Sequence, residues 1–188
     1  MGIAWITGNA GTGKSKVCAA LADKGYRSID SDLGMAAWVN TSTDEVIDAL
    51  DAGPLSQAWF EDHRWLLRRS RVQELAEDAG TQTTFLCGLV QNDEELWDLF
   101  DVKICLILDE PTIRERLGQR SGNPFGRAPA ELEAILRING PLVAKYTALG
   151  ADLIDSAQPV ESVVQDVLRV CGASGMDGEG DPNRQRSG

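Results

Sequence analysis

Two hydrophobic periods alternate along this chain. Ile3–Thr7 is a short apolar run that stops at a cluster of glycines, which predicts a strand feeding a loop. From Lys14 the spacing of Val17, Ala20 and Leu21 puts apolar residues on one helical face, ending near Gly25. "YRSID" (26–30) predicts a second short strand that ends in acids. "TTFLCGL" (83–89) predicts a third, and "VKICLIL" (102–108) a fourth that is apolar on both faces, as buried parallel strands are. "ADLID" (151–155) predicts a fifth.

The segments between these strands read as helices. "NDEELWDLF" predicts a capped helix, and "PTIRERLGQR" a helix with proline in its first turn. "AELEAILRINGPLVAKYTALG" predicts a helix interrupted at Gly140-Pro141, and "VESVVQDVLRV" a closing helix. Residues 33–80 hold no convincing strand. "TDEVIDALDAG" opens with a Thr/Asp cap, and "SQAWFEDHRWLLRRSRVQELAEDAG" reads as one or two more helices, so a helical insert of nearly fifty residues is expected there. The tail 172–188 is rich in glycine and charge with almost nothing to bury, and is expected to be disordered. No internal repeat is visible.

Alternating strands and helices predict an α/β protein, a parallel sheet with helices on both faces in three α/β/α layers. In such sheets ligands sit beyond the carboxyl ends of the strands. Length adds that the 188 residues suit one domain with its own core. A net charge of −11 repels a phosphate backbone, which argues against nucleic acid as a partner. The four cysteines (18, 87, 105 and 171) have no CxxC spacing and His63 is the sole histidine, so a zinc site is not expected. Cys87 and Cys105 lie in apolar runs, as in a reducing cytosol. No signal peptide and no apolar run of about 18 residues is seen, so a cytoplasmic protein without a membrane partner is expected.

The candidate chemistry falls at predicted strand ends. Gly8-Asn9-Ala10-Gly11-Thr12-Gly13-Lys14-Ser15 fits G-x-x-x-x-G-K-[ST], between a strand and a helix. Three glycines let backbone N–H groups turn inward on an anion, and the helix adds its positive N-terminus. Lys14 is placed to reach the β- and γ-phosphates, and the Ser15 hydroxyl to bind Mg²⁺; no threonine stands at position 16. The loop therefore predicts ATP or a relative. "DSD" supplies Asp30 and Asp32 at the end of strand two, one carboxylate for Mg²⁺ through water and the other to orient or deprotonate a hydroxyl. An Asx turn with a helix cap is the structural alternative. Asp109-Glu110 ends an apolar strand as an ATPase's acids would, yet Pro111 follows at once, so a helix start is the favoured reading. Arg114, Arg116 and Arg120, then Arg127 in "GNPFGR", suit a mobile lid that neutralises charge on a transferred phosphoryl group; a solvated basic helix is the alternative.

The ordering of "GNAGTGKS", "DSD", "RERLGQR" with a lid, and "LIDSAQPVESVVQDVL" resembles the small P-loop kinases of the shikimate kinase, gluconate kinase and nucleoside monophosphate kinase group, over about residues 1–170. The resemblance implies a P-loop NTPase fold with strand order 2-3-1-4-5, a kinase domain over 1–171, an acceptor-binding insert at 33–80 and a lid at 112–130. It implies Asp30 as the metal-side acid, Asp32 as the acceptor-side acid, Arg120 and Arg127 as lid arginines, and the "IDSAQP" turn with Ser156 as part of an adenine pocket. Where shikimate kinases carry a glycine triplet after strand three, this chain has the single Gly88 on its acceptor side.

The insert also holds Trp38, Trp59, Phe60, His63, Trp65, Arg64, Arg68, Arg69 and Arg71. An aromatic wall with arginines suits a base or sugar ring bearing an acidic group. Core tryptophans and a solvated arginine face are the structural alternative. The expected function is an ATP- and Mg²⁺-dependent kinase acting on a hydroxyl of a small, nucleoside- or sugar-like molecule, as a monomer or homodimer. A nucleoside monophosphate kinase is the rival among enzymes, and a P-loop ATPase or switch the rival of another class. The absence of an N-K-x-D motif argues against a GTPase.

Overall fold

A computed structural model describes residues 2–47, 57–78, 82–120 and 125–172. The first strand, β1 (Ile3–Gly8), is buried along its whole length. It is followed by α1 (Lys14–Asp23) and β2 (Ser28–Asp30). The main sheet is completed by β6 (Thr84–Cys87), β7 (Val102–Ile107) and β8 (Asp152–Asp155). All pairings in it are parallel, and β1 lies in the middle of the order β2-β6-β1-β7-β8. Counting only these five strands, that is 2-3-1-4-5, as the resemblance implied.

Alternation along β1 explains the three layers. Ala4 and Ile6 face a core with Val17 and Leu21 of α1 and Val163, Val164 and Val167 of α6 (Val160–Val170). Ile3 and Trp5 face the opposite way, into a core with Leu67, Val72, Leu75 and Leu96. Successive side chains of a strand point to opposite faces, so a strand covered on both sides must be apolar throughout. Trp5 stacks on Phe100 at 5.2 Å between ring centroids. A third cluster, Leu108, Ile113, Leu117, Ile135 and Leu136, joins α4 (Glu110–Gln119) to α5 (Pro129–Ala148).

The insert is not the helical unit that its sequence predicts. It contains β3 (Ala36–Asn40), β4 (Val46–Ile47), α2 (Gln57–Asp62), β5 (His63–Leu67) and α3 (Arg69–Glu77). The three strands form a second, antiparallel sheet in the order β4-β3-β5, with Trp38 opposite Trp65. Two side chains attach its edge to the connection that follows β6. Trp65 N–H donates to Gln91 Oε1 at 2.8 Å, and Gln91 N–H returns to Trp65 C=O at 2.9 Å. Leu67 N–H donates to Asn92 Oδ1 at 3.0 Å, and Asn92 Nδ2 returns to Leu67 C=O at 2.9 Å. Asn92 is thus spent on β5 and caps nothing: "NDEELWDLF" forms a 3₁₀ helix, Asp93–Leu99, without a side-chain cap. Part of "TDEVIDALDAG", residues 48–53, lies outside the described residues, while its Val46–Ile47 is strand and not helix.

One further expectation changes. α5 runs unbroken through Gly140-Pro141, with Pro141 inside the helix. The expected lid, 112–130, spans most of α4, the connection after it and the first residues of α5, and its residues 121–124 lie outside the described residues. The expected tail, from 173 onward, also lies outside them. Among the described residues no helix is long and apolar enough to cross a membrane.

Candidate active site

A cleft of about 1820 Å³ opens over the carboxyl ends of the main strands, lined by the 9–17 segment, β3 and β5 of the insert, α4, α5 and the 156–160 turn. The glycine-rich loop forms its floor. Gly8, at φ 143°, could not be another residue: a Cβ there would sit 2.4 Å from Leu106 C=O. Gly11 and Gly13 take φ 88° and 92°, the left-handed region that favours glycine. Gly13 is the N-cap of α1, and no side chain caps that helix. Its first turn carries no acidic residue. Free N–H groups and the positive helix end therefore face the cleft, which is the physical requirement for holding phosphate.

The loop is braced from below. Thr12 Oγ donates to Asn9 C=O at 2.9 Å, and Lys14 Nζ donates to Gly8 C=O at 2.8 Å and Asn9 C=O at 3.1 Å. Burial pulls the Lys14 ammonium below the usual lysine range, while Asp32 and Asp30 act in the other direction. Asn9 turns its side-chain NH₂ to α5 and its Oδ1 to Ala10 N–H, so its side chain and the Ala10 N–H are both spent within the protein.

Asp30 and Asp32 have different partners. Ser15 Oγ donates to Asp30 Oδ2 at 2.8 Å, joining two hard oxygen ligands at the N-terminus of α1, a donor set suited to Mg²⁺. Among the described residues no group of three His, Cys, Asp or Glu side chains forms a metal cage. A Mg²⁺ ion here would take its remaining oxygens from phosphate and water. Asp32 N–H donates to Asp30 Oδ1 at 3.1 Å, an Asx turn that splays the two carboxylates apart, and Trp65 Nε1 donates to Asp32 Oδ1 at 3.2 Å. The Asp32 carboxyl is raised above the usual range, first by lost hydration and then by Asp30; Lys14, Trp65 and Arg120 oppose the shift.

Of the insert residues, Trp38, Arg64 and Trp65 line the cleft beside Asp32. Trp59, His63, Arg68 and Gly88 do not contribute to that wall. His63 is a framework residue: its ring stacks on Trp59 at 4.1 Å, Nδ1 faces Trp59 C=O at 2.8 Å and Nε2 faces Asn40 Nδ2 at 3.3 Å. A carbonyl at Nδ1 requires the proton there, so Nε2 accepts from Asn40 and neither nitrogen is left for substrate. Arg68 is exposed at the N-cap of α3. Arg69 pairs with Asp98 and donates to Glu95 C=O, and Arg71 pairs with Glu74. Gly88 is glycine for space, since a Cβ there would meet Ser31 Oγ at 1.8 Å.

Arg116 and Arg120 line the cleft, and Arg127 does not. Arg116 donates to Ser156 C=O at 2.8 Å, which fixes the guanidinium beside Gly13. Arg120 is the C-cap of α4, one turn above Arg116 with a helical φ of −67°, and its extended ψ of 125° turns the chain away only after it. Arg127 donates instead to Arg120 C=O. Ser156 is buried, bonded to Ile107 C=O through both N–H and Oγ, and the turn Ala157–Pro159 lines the cleft beside it. Asp109 accepts from Thr112 N–H at 2.8 Å as the N-cap of α4, which holds its carboxyl below the usual range. It is outside the cleft wall, so the helix start is its role.

Sequence reasoning missed a buried polar network behind the cleft. Asp93, fully buried, accepts from Tyr146 Oη and from Lys145 Nζ at 2.7 Å. Lys145 also pairs with Glu94 at 3.0 Å, and Tyr146 Oη meets Thr7 Oγ at 3.2 Å. Burial opposes the Lys145 charge, but its bonds to Asp93 and Glu94 raise it above the usual range. Burial and Asp93 push the Tyr146 hydroxyl well up. Only the polarity of Asp93 and the "KY" pair in otherwise apolar surroundings could have signalled this.

The fold is that of the small P-loop kinases. Shikimate kinase from Acinetobacter baumannii in complex with shikimate superposes with a TM-score of 0.58 at 17% identity, covering 92% of this chain and 94% of that one. A gluconokinase from Sinorhizobium meliloti gives 0.51 at 20% identity, covering 91% of each chain. Deoxyadenosine kinase from M. mycoides with bound dATP gives 0.53 at 15% identity, covering 92% of this chain and 100% of that one. No protein-family profile matches the sequence, and neither does any curated protein.

Proposed function

We propose that the chain transfers the terminal phosphoryl group of ATP to a hydroxyl of a small molecule bound between Asp32 and the insert. One observation carries the reading: a carboxylate with raised proton affinity, Asp32, shares one cleft with a complete phosphate loop whose serine is already joined to a second carboxylate, Asp30. Backbone N–H groups of Gly11, Gly13, Lys14 and Ser15 bind the phosphates, and Lys14 Nζ exchanges its loop carbonyls for phosphate oxygens. Ser15 and Asp30 hold Mg²⁺, which when bound neutralises charge on the β- and γ-phosphates. Asp32 aligns the acceptor hydroxyl and accepts its proton. Arg116 and Arg120 stabilise the phosphoryl group in transfer, and Arg127 supports the backbone that carries Arg120. Trp38, Trp65 and Arg64 form the acceptor wall, which suits a ring with an anionic or strongly polar substituent. The named kinases of similar fold, acting on gluconate, shikimate and deoxyadenosine, support phosphoryl transfer as the reaction class.

The rival readings lose particular supports. A nucleoside monophosphate acceptor calls for several arginines on one phosphate, yet Arg69 and Arg71 are paired elsewhere and Arg64 alone reaches the cleft from the insert. An ATPase would use Asp109, which caps α4. The test is coupled ADP release with Mg²⁺·ATP across sugars, nucleosides, hydroxy acids and nucleoside monophosphates. Acceptor-dependent ADP release with an alcohol supports the proposal. Release that no acceptor accelerates would give the ATPase reading precedence.

A further inference from the structure

The phosphate loop is tied to the helix that follows the lid. Asn9 Nδ2 donates to Ile135 C=O at 2.8 Å and to Asn139 Oδ1 at 3.0 Å, both on α5. The other end of the same amide accepts from Ala10 N–H at 2.8 Å. Asn139 Nδ2 in turn donates to Leu108 C=O at 3.0 Å, just past the end of β7. Backbone partners leave neither amide a choice of orientation: a carbonyl takes only the NH₂ end, and an N–H takes only the oxygen. Both residues are buried, Asn9 at 1% and Asn139 at 8% exposure. Two asparagines in an apolar region form a closed chain, Leu108–Asn139–Asn9–Ala10, whose last link fixes a peptide N–H of the phosphate loop itself.

We infer that Asn139 is a positioning residue for nucleotide binding, acting through Asn9. It makes no contact with the cleft surface, and its effect is to hold the Asn9 amide, which pins Ala10 N–H and so sets the angle at which the Gly11 and Gly13 N–H groups face the cleft. The inference rests on the assignment of 8–15 as the triphosphate site. It adds that phosphate affinity depends on a residue 130 positions away in sequence, on the helix whose first turn begins two residues after Arg127. Without Asn139 the Asn9 side chain loses an acceptor and Leu108 C=O loses its donor, both in buried surroundings.

The experiment is calorimetric titration of the full chain with Mg²⁺·ATP, for the parent, Asn139→Ala, Asn9→Ala and the double variant. Each single change is expected to weaken binding roughly tenfold, and the double variant no more than the weaker single, because one chain of bonds is cut in each case. Equal affinity of Asn139→Ala and parent overturns the inference while leaving the triphosphate site intact. Additive losses also overturn it, since they show Asn139 acting independently of Asn9. A parent that binds no Mg²⁺·ATP removes the triphosphate site and the inference together. Should Asn139→Ala fail to fold, Asn139→Ser keeps a hydroxyl for Leu108 C=O, and the same cycle is run with it. A loss of affinity from Asn139→Ser in the parent background that vanishes in the Asn9→Ala background supports the inference; no loss in the parent background, or the same fold-loss in both backgrounds, overturns it.

Discussion

Replacing Asp32 by asparagine is expected to move activity and stability in opposite directions. Asn keeps the shape of the side chain and an oxygen for Trp65 Nε1, which donates to Asp32 Oδ1 at 3.2 Å. What disappears is the charge and the capacity to take a proton from the acceptor hydroxyl. A positioned general base contributes about 10²–10⁴ in rate, roughly 3–5 kcal/mol of barrier. Folding responds with the other sign. Lost hydration and Asp30 disfavour the charged carboxylate in the folded state more than Lys14, Trp65 and Arg120 favour it. The folded chain therefore binds the proton more tightly than the unfolded chain does. Its stability falls as pH rises from the ordinary Asp value, about 3.9, through the raised folded value, and the deficit persists at neutral pH. Asn removes that deficit, so the variant melts above the parent at pH 7, and the difference narrows as pH is lowered. Turnover of the parent drops as pH falls through the raised value, a limb the variant lacks. Coupled ADP release gives the rate, titration with Mg²⁺·ATP confirms that the nucleotide still binds, and scanning calorimetry across pH gives the melting temperatures. Activity within about threefold of the parent, against the 10²-fold minimum for a general base, refutes the role of Asp32. A lower melting temperature at pH 7 refutes the electrostatic account.

Lys14→Ala is expected to remove at least about 10² in turnover, from loss of a transition-state donor, while moving the melting temperature by less than about 2 °C, checked by ADP release and calorimetry. Asp93→Ala leaves the Tyr146 hydroxyl and the Lys145 ammonium without their buried partner, a loss of about 3–5 kcal/mol in urea denaturation. A loss below about 1 kcal/mol would show that this charge carries no weight in the fold. Gly88→Ala pushes on Ser31 between the two site carboxylates, so it should cost about 1–3 kcal/mol of stability and lower turnover as well. Adding Ser31→Ala is expected to restore part of both, measured by the same two assays.

The chain's local pattern was enough for the main sheet. β1, β6 and β7 are short apolar runs, while β2 and β8 carry only one and two apolar residues and were placed by the acids and turn residues that end them. The phosphate loop was legible for a related reason: its geometry is encoded in adjacent residues, and Gly8, Gly11 and Gly13 adopt the backbone angles only glycine tolerates well. Asp30 and Asp32 followed because they end a strand beside that loop. The insert was misread because its strands are two and five residues long and mix Arg, His and Ala with tryptophan. At such lengths periodicity does not separate strand from helix. Their pairing is completed by Gln91 and Asn92, from a different part of the chain.

Composition could not sort the tryptophans and arginines of the insert, because cleft wall and framework draw on the same residue types. Trp38 and Trp65 reach the cleft while Trp59 stacks on His63; Arg64 reaches it while Arg69 and Arg71 meet carboxylates. Sequence alone determined a phosphate loop set on a parallel sheet, since both are written in consecutive residues and enforced by backbone sterics and side-chain alternation. Tertiary structure decided which side chains face the acceptor, how Asp93 is neutralised inside the protein, and that Asn139 touches Asn9. Those outcomes depend on contacts between segments far apart in the chain, where the energy lies in the pair and neither partner's local sequence carries it.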